Sequence, residues 1–167
     1  MESTIEPPDR HHLAAAIGWI GLHNWGEAKL ELDKISAKNR RAPAVLLVEY
    51  DIYASSKDWG CAAEVAGTLV EVIPDSAAIW LSLAYAVRRK PGGNVKEARA
   101  ILTKGEQLFP GESMIAYNLA CYECQLGNVD VARDWLDKAM ARGDAKQIMA
   151  LASKDSDLEP LWKELKR

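Results

Sequence analysis

The sequence predicts an all-α solenoid of about four stacked helical hairpins, closed by helices at the C-terminus. Two observations carry this. Ala28, Ala62, Ala98 and Ala132 recur at spacings of 34, 36 and 34 residues. Each closes a similar pentapeptide: Asn24-Trp25-Gly26-Glu27-Ala28, Asp58-Trp59-Gly60-Cys61-Ala62, Asn94-Val95-Lys96-Glu97-Ala98 and Asn128-Val129-Asp130-Val131-Ala132. A period near 34 residues is that of helical-repeat arrays, in which each hairpin buries its apolar face against the next. The second observation is apolar side chains at helical spacing on both sides of each pentapeptide, with Pro43, Pro74 and Pro110 interrupting the chain between units.

The elements follow in order. Residues 1–8 are polar and acidic with two prolines, and read as a tail. The hairpins are expected over 9–42, 43–76, 77–112 and 113–144. In the first helices the apolar side is Leu13, Ile17 and Ile20; then Leu46, Tyr50 and Tyr53; then Trp80, Leu83, Ala84 and Val87; then Ile115, Leu119, Ala120 and Tyr122. The second helices start after Asn24, Asp58, Asn94 and Asn128, whose side chains can accept from unpaired first-turn amides. Their apolar residues are Leu32 and Ile35, Leu69 and Val72, Ile101 and Leu108, and Leu136 and Met140. The recurrent alanines and Ala16, Ala84 and Ala120 let paired helices approach closely. The third unit carries two extra residues at Lys90-Pro91-Gly92-Gly93, which is strong turn chemistry. Beyond Gly143, Asp144 is placed to cap a short helix over 145–153. Lys154-Asp155-Ser156-Asp157 reads as a turn, and 158–165 as a last helix. Ile148, Met149, Leu151, Leu158, Leu161, Trp162 and Leu165 are the side chains expected to cover the end of the stack.

Composition narrows the function classes. The chain has 167 residues, 49% of them hydrophobic, enough for one domain with a core. A net charge of −3, from 21 basic and 24 acidic residues, supplies no basic field for nucleic acid. No apolar run is long enough to cross a bilayer, and the N-terminus lacks the basic start and apolar stretch of a signal peptide. Three cysteines imply no disulfide framework. A cytoplasmic protein is the expectation.

At this point the chain resembles the tetratricopeptide-repeat family. The fourth unit carries the likeness most fully: Ala116-Tyr117-Asn118-Leu119-Ala120, then Leu126-Gly127-Asn128, then Ala132 and Ala139. The second unit has Trp59, Ala62, Leu69 and Pro74 in place. The first departs, with His12 where a tryptophan is usual, and the third has Gly105 at the second small position. The closing segment Asp155-Ser156-Asp157-Leu158-Glu159-Pro160-Leu161 is similar to that of a bacterial group of such proteins. The resemblance implies a right-handed solenoid whose first helices line a groove that binds a peptide or helix. Carried onto this chain, the groove positions are Leu13, Ile17 and Ile20; Leu47, Asp51 and Ala54; Leu81, Tyr85, Arg88 and Arg89; and Tyr117, Asn118, Cys121 and Gln125.

That surface grades from apolar to aromatic and basic. It suits a partner segment with apolar anchors and an acidic group near Arg88 and Arg89. The plainer reading is that the two arginines complement the dipole at a helix C-terminus. Members that clamp the C-terminal carboxylate of heat-shock chaperones place Lys, Asn and Arg in the groove; here Leu13 and Ile17 stand there, which argues against that mode. The expected function is a non-enzymatic adaptor or assembly scaffold that binds another protein, with a type III secretion chaperone as the alternative. No cofactor or metal is expected.

The remaining chemistry is sparse. Cys121-Tyr122-Glu123-Cys124 has redox-motif spacing, but such motifs start helices, and these two lie within one. A thiol enzyme on Cys121 and Cys124 is the alternative from another class. Zinc would need two further ligands, which Cys61 and the histidines do not offer in a matching pair. His11 and His12 are adjacent and point apart on a helix. Pro91-Gly92-Gly93 lacks the Lys-Ser or Lys-Thr of a phosphate-binding loop.

Overall fold

The computed structural model describes residues 5–162. Among them are nine α-helices, two 3-10 segments and no strand. The helices are α1 (Asp9–Gly21), α2 (Trp25–Asp33), α3 (Pro43–Ser55), α4 (Trp59–Val72), α5 (Ala77–Arg89), α6 (Val95–Leu108), α7 (Ser113–Gln125), α8 (Val129–Arg142) and α9 (Ala145–Ala152). They form a solenoid of four antiparallel hairpins, α1–α2 to α7–α8, followed by α9 and a 3-10 segment, Ser156–Leu161.

The small residues sit at the contacts. Ala28, Ala62, Ala98 and Ala132 are 0% exposed, as are Ala16, Ala84 and Ala120. A larger side chain there would separate helices that now pack backbone close to backbone. The core runs along the stack in three clusters. Ala16, Ala28, Leu32, Ile35, Val45, Val48 and Ile52 fill the first hairpin and its joint with α3. Leu46, Leu69 and Ile79 form a thin middle cluster. The largest spans α5 to the C-terminal segment and includes Leu102, Ile115, Leu119, Tyr122, Leu136, Ile148, Leu158 and Leu161. Ile5, in the stretch read as a tail, packs partly buried against the first cluster.

Three of the four expected caps form. Asn24, Asp58 and Asn94 accept from the backbone N–H of Glu27 (3.2 Å), Cys61 (3.1 Å) and Glu97 (2.9 Å). Asn128 does not cap α8. Its side-chain nitrogen donates at 2.7 Å to the buried carboxylate of Glu123, which also pairs with Arg99 and turns the side chain toward α7. The turn before each cap explains the tight hairpins. His23, Lys57 and Gly127 all have positive φ (56°, 63° and 83°). The residue after each donates back across the turn: Asn24 to the Trp19 carbonyl, Asp58 to Tyr53 and Asn128 to Glu123, at 2.8 to 3.0 Å. This is the six-to-one closure of a helix end around a left-handed residue. In the longer third hairpin Gly92 takes the positive φ, and a Cβ on Gly93 would lie 2.0 Å from the Val87 carbonyl.

Several local expectations need correction. The first hairpin's second helix ends early, at Asp33, and residues 34–42 are a turn with a 3-10 piece, Ala37–Asn39. Ile35 is buried but lies outside the helix. Arg40 ends α2 there, donating to the carbonyls of Ile35 (2.9 Å) and Asp33 (2.6 Å). The turn is tied down by Asp9, a buried first-turn residue of α1. Its carboxylate accepts from the Ser36 hydroxyl, the Ser36 N–H (3.1 Å) and the Asn39 amide (2.7 Å). Leu108 and Leu151 are exposed rather than core, because both fall on the outer side of their helices. The last helix starts earlier than expected: Asp155 caps it by accepting from the Asp157 N–H at 3.0 Å, and Pro160 lies within it, so it is a 3-10 segment. Leu165 lies outside the described residues.

These contacts have measurable consequences. The donors around Asp9, first the Ser36 hydroxyl and then the Asn39 amide, hold its carboxyl below its ordinary value of 3.8. A depressed carboxyl stabilises the fold above its unfolded value, and that contribution fades as pH falls through the folded one. Asp9→Asn therefore lowers the urea midpoint at neutral pH, and the two stabilities converge on acidification below 3.8. At Lys57, glycine removes the left-handed penalty, so Lys57→Gly raises the unfolding free energy by about 0.5–1 kcal/mol in urea titrations.

Candidate functional site

The first helices are all 13 residues long and begin at Asp9, Pro43, Ala77 and Ser113. Equivalent positions can therefore be read directly from one to the next. One column is Leu13, Leu47, Leu81 and Tyr117. A second is Ile17, Asp51, Tyr85 and Cys121. These are the groove positions expected from the sequence. In the first three hairpins they are open: Ile17 is 53% exposed, Leu47 40% and Tyr85 42%, Asp51 is exposed, and Leu13, Ala54 and Leu81 are half-buried. In the fourth they close, with Tyr117 and Cys121 each 3% exposed.

The closure is made by the chain's own C-terminal segment. Asp155 accepts from the Tyr117 hydroxyl at 2.9 Å and the Cys121 thiol at 3.6 Å. Asp157 receives both guanidinium nitrogens of Arg88, at 2.7 and 3.2 Å, and the amide of Gln125. Behind these two acids Leu158 and Leu161 are 0% and 1% exposed, and burial of each leucine stabilises by about 1.5–3 kcal/mol. Arg88 also lies over the Tyr122 ring at 5.4 Å. The segment thus meets Arg88 on α5 and three groove positions on α7. Asn118 stays outside this network, its amide donating to the Met114 carbonyl of its own helix at 2.8 Å.

Arg88 and Arg89 have separate roles, because neighbours on a helix point about 100° apart. Arg89 is exposed and stacks on Tyr85, its guanidinium 3.3 Å from the ring centroid, with Trp59 at 5.8 Å. Trp59 and Tyr85 meet edge to face at 5.4 Å. Arg89 donates to the Tyr85 carbonyl at 3.3 Å and has no carboxylate partner among the described residues. It is therefore a cation held in place by aromatic rings.

The thiols are the reverse of activated. Burial, and then the charges of Asp155 and Asp157, push Cys121 well above the ordinary thiol range. Burial raises Cys124 as well, with Asp157 adding to it. A thiol nucleophile needs the opposite environment. Cys121, Asp155 and Asp157 do place one potential ligand atom each within 4.8 Å of one another. There, however, Arg88 already supplies the positive charge that a cation would bring, and Tyr117 and Gln125 occupy further carboxylate lone pairs. Burial also pushes the Tyr122 hydroxyl up to about 12.

The stacked helical hairpins superpose on solved structures. A MamA RS-1 ArsTM double mutant superposes with a TM-score of 0.71 over 90% of this chain and 80% of that one, at 14% identity. A MamA MSR-1 structure, C2, gives 0.69 over 83% and 78%, at 17% identity. TTC0263, a thermophilic TPR protein of Thermus thermophilus, gives 0.66 over 95% and 84%, at 19% identity. The fold is the tetratricopeptide repeat. No protein-family model and no curated protein matches the chain. Within the tetratricopeptide-repeat frame, the pairing of Arg88 with Asp157 was the feature that sequence reasoning missed. Its signal was present as Asp155 and Asp157 two positions apart before Leu158, but the partner lies 69 residues away.

In native protein, a thiol reagent such as dithionitrobenzoate is expected to titrate Cys61 first, the half-buried one of the three. Cys121 and Cys124 react only as urea unfolds the fourth repeat. Rapid native reaction of all three would contradict the buried arrangement.

Proposed function

We propose that this chain is a protein–protein interaction module, an adaptor or assembly scaffold that seats a peptide or helix of a partner along its first helices. The observation that carries the reading is the open part of the two columns. Ile17 and Tyr85 from one column and Leu47 from the other stand exposed on the first three repeats, beside the aromatic-held guanidinium of Arg89. Exposed apolar side chains aligned in this way mark a surface that gains by being covered. The tyrosine and arginine at its end are residue types that dominate binding energy where a partner is both packed and hydrogen-bonded. The reading revises the placement of the partner's acid: Asp157 already pairs with Arg88, so Arg89 is the cation left to receive it.

No helix among the described residues is long and apolar enough to cross a membrane. The three free cysteines suit a reducing, cytoplasmic setting. The raised thiols favour a binding role over thiol chemistry.

A photo-crosslinking side chain at Leu47 is expected to capture a partner in native extracts that the same group at exposed Leu30, on α2, does not. With that partner purified, Leu47→Asp or Arg89→Glu should each weaken binding at least tenfold, about 1.4 kcal/mol or more. Unchanged affinity in both variants would sink the reading.

A further inference from the structure

We propose that the surface of α5 and α7 under residues 155–161 is a peptide-binding site, held by the chain's own C-terminal segment until a partner segment of the same pattern displaces it. The pattern is Asp-x-Asp-Leu-x-x-Leu. The inference rests on the reading of the first helices as a binding surface and names what their C-terminal end accepts.

Three observations carry it. The covered positions are the register equivalents of exposed ones: Tyr117 and Cys121 are buried where Leu47 and Tyr85 are open. The segment therefore lies on binding-surface positions. Its contacts there are side chain to side chain and charge-assisted. Asp157 receives Arg88 and Gln125, and Asp155 receives Tyr117. Finally, the held segment is a six-residue 3-10 piece containing Pro160, a geometry with weaker internal hydrogen bonds than an α-helix.

The same contacts define the ligand. Whatever replaces the segment must pair Arg88, whose side chain is only 20% exposed, and refill the space of two fully buried leucines. A segment lacking the second acid leaves a half-buried guanidinium unpaired. One lacking the leucines leaves a cavity. The open columns run straight into the site, since Tyr85 lies one turn from Arg88 and Arg89. A partner seated along the first three repeats thus reaches it without a change of direction.

The test uses a fluorescent peptide of residues 153–162 and the full-length chain. Asp157→Ala loosens the segment and leaves its site intact, so this variant is expected to bind the peptide at least tenfold more tightly than the unsubstituted chain. Adding Arg88→Glu should abolish the gain, and a peptide with lysine in place of Asp157 should not bind. Circular dichroism establishes that each variant is folded. Should Asp157→Ala fold poorly, Asp157→Asn, which keeps the side chain's shape and removes its charge, takes its place. No gain in the folded Asp157→Ala chain, or a gain that survives Arg88→Glu, would overturn the proposal and leave the segment a permanent cap. The assay contains no partner of the open surface, so its failure would leave the Leu47-dependent reading standing.

Discussion

Close approach of helices at alanine is the constraint on which the rest of this structure depends. Four alanines at the same register, each 0% exposed, set the distance between the two helices of every hairpin. Because that distance is repeated, the hairpins stack with the first helices in matching register, all 13 residues long. Matching register turns scattered residues into columns. Leu13, Leu47, Leu81 and Tyr117 have no neighbourhood in the sequence; they acquire one only because each hairpin repeats the spacing of the last. A surface able to bind anything is thus a by-product of packing grammar.

Much of the fold is legible in the sequence because its determinants are local. The alanine period, the Asn or Asp after each turn and the prolines between units all act within a few residues, and three of the four caps form as their chemistry dictates. Departures arise at residues drawn into contacts that reach beyond their own helix. Asn128 leaves its helix terminus for the carboxylate of Glu123, which is buried and already bonded to Arg99. The turn after Asp33 depends on Asp9, 27 residues before Ser36. The Asp9 contact cannot be read from a window of helical length; Glu123 lies only 5 residues before Asn128, but its other partner, Arg99, is 24 residues away. The register equivalence of the first-helix positions was legible, but their exposure was not, since it depends on what the C-terminal segment covers.

Arg88 and Arg89 show the same division at a single step along the chain. Both occupy the last turn of α5, where either would complement the helix dipole. Dipole complementation explains why basic residues are comfortable there, and it does not distinguish them. The distinction comes from direction. One guanidinium points to the end of the stack and finds Asp157, with both side chains about one-fifth exposed. The other lies against Tyr85 and Trp59 in solvent. A partly desolvated, two-pronged pair is stronger than an exposed one, whereas a ring-held cation remains available. Adjacent residues of one type thus divide into a closing contact and an open one.

This division bears on how specificity can arise in a repeat scaffold. The alanine contacts are the same in every hairpin and can carry no information about a partner. Information must lie where the repeat is broken, and two breaks coincide. The third hairpin's longer turn, where Gly93 nearly touches the Val87 carbonyl, follows directly on Arg88 and Arg89. The non-repeating segment after α9 also reaches Arg88, through Asp157. The basic end of the surface is therefore shaped by the two stretches of chain that the period does not govern. The apolar end, with Ile17 and Leu47, supplies area that many segments could cover. On the binding role proposed for this surface, discrimination among them would fall to the charged end, because an unmatched guanidinium there costs more than an imperfect apolar fit.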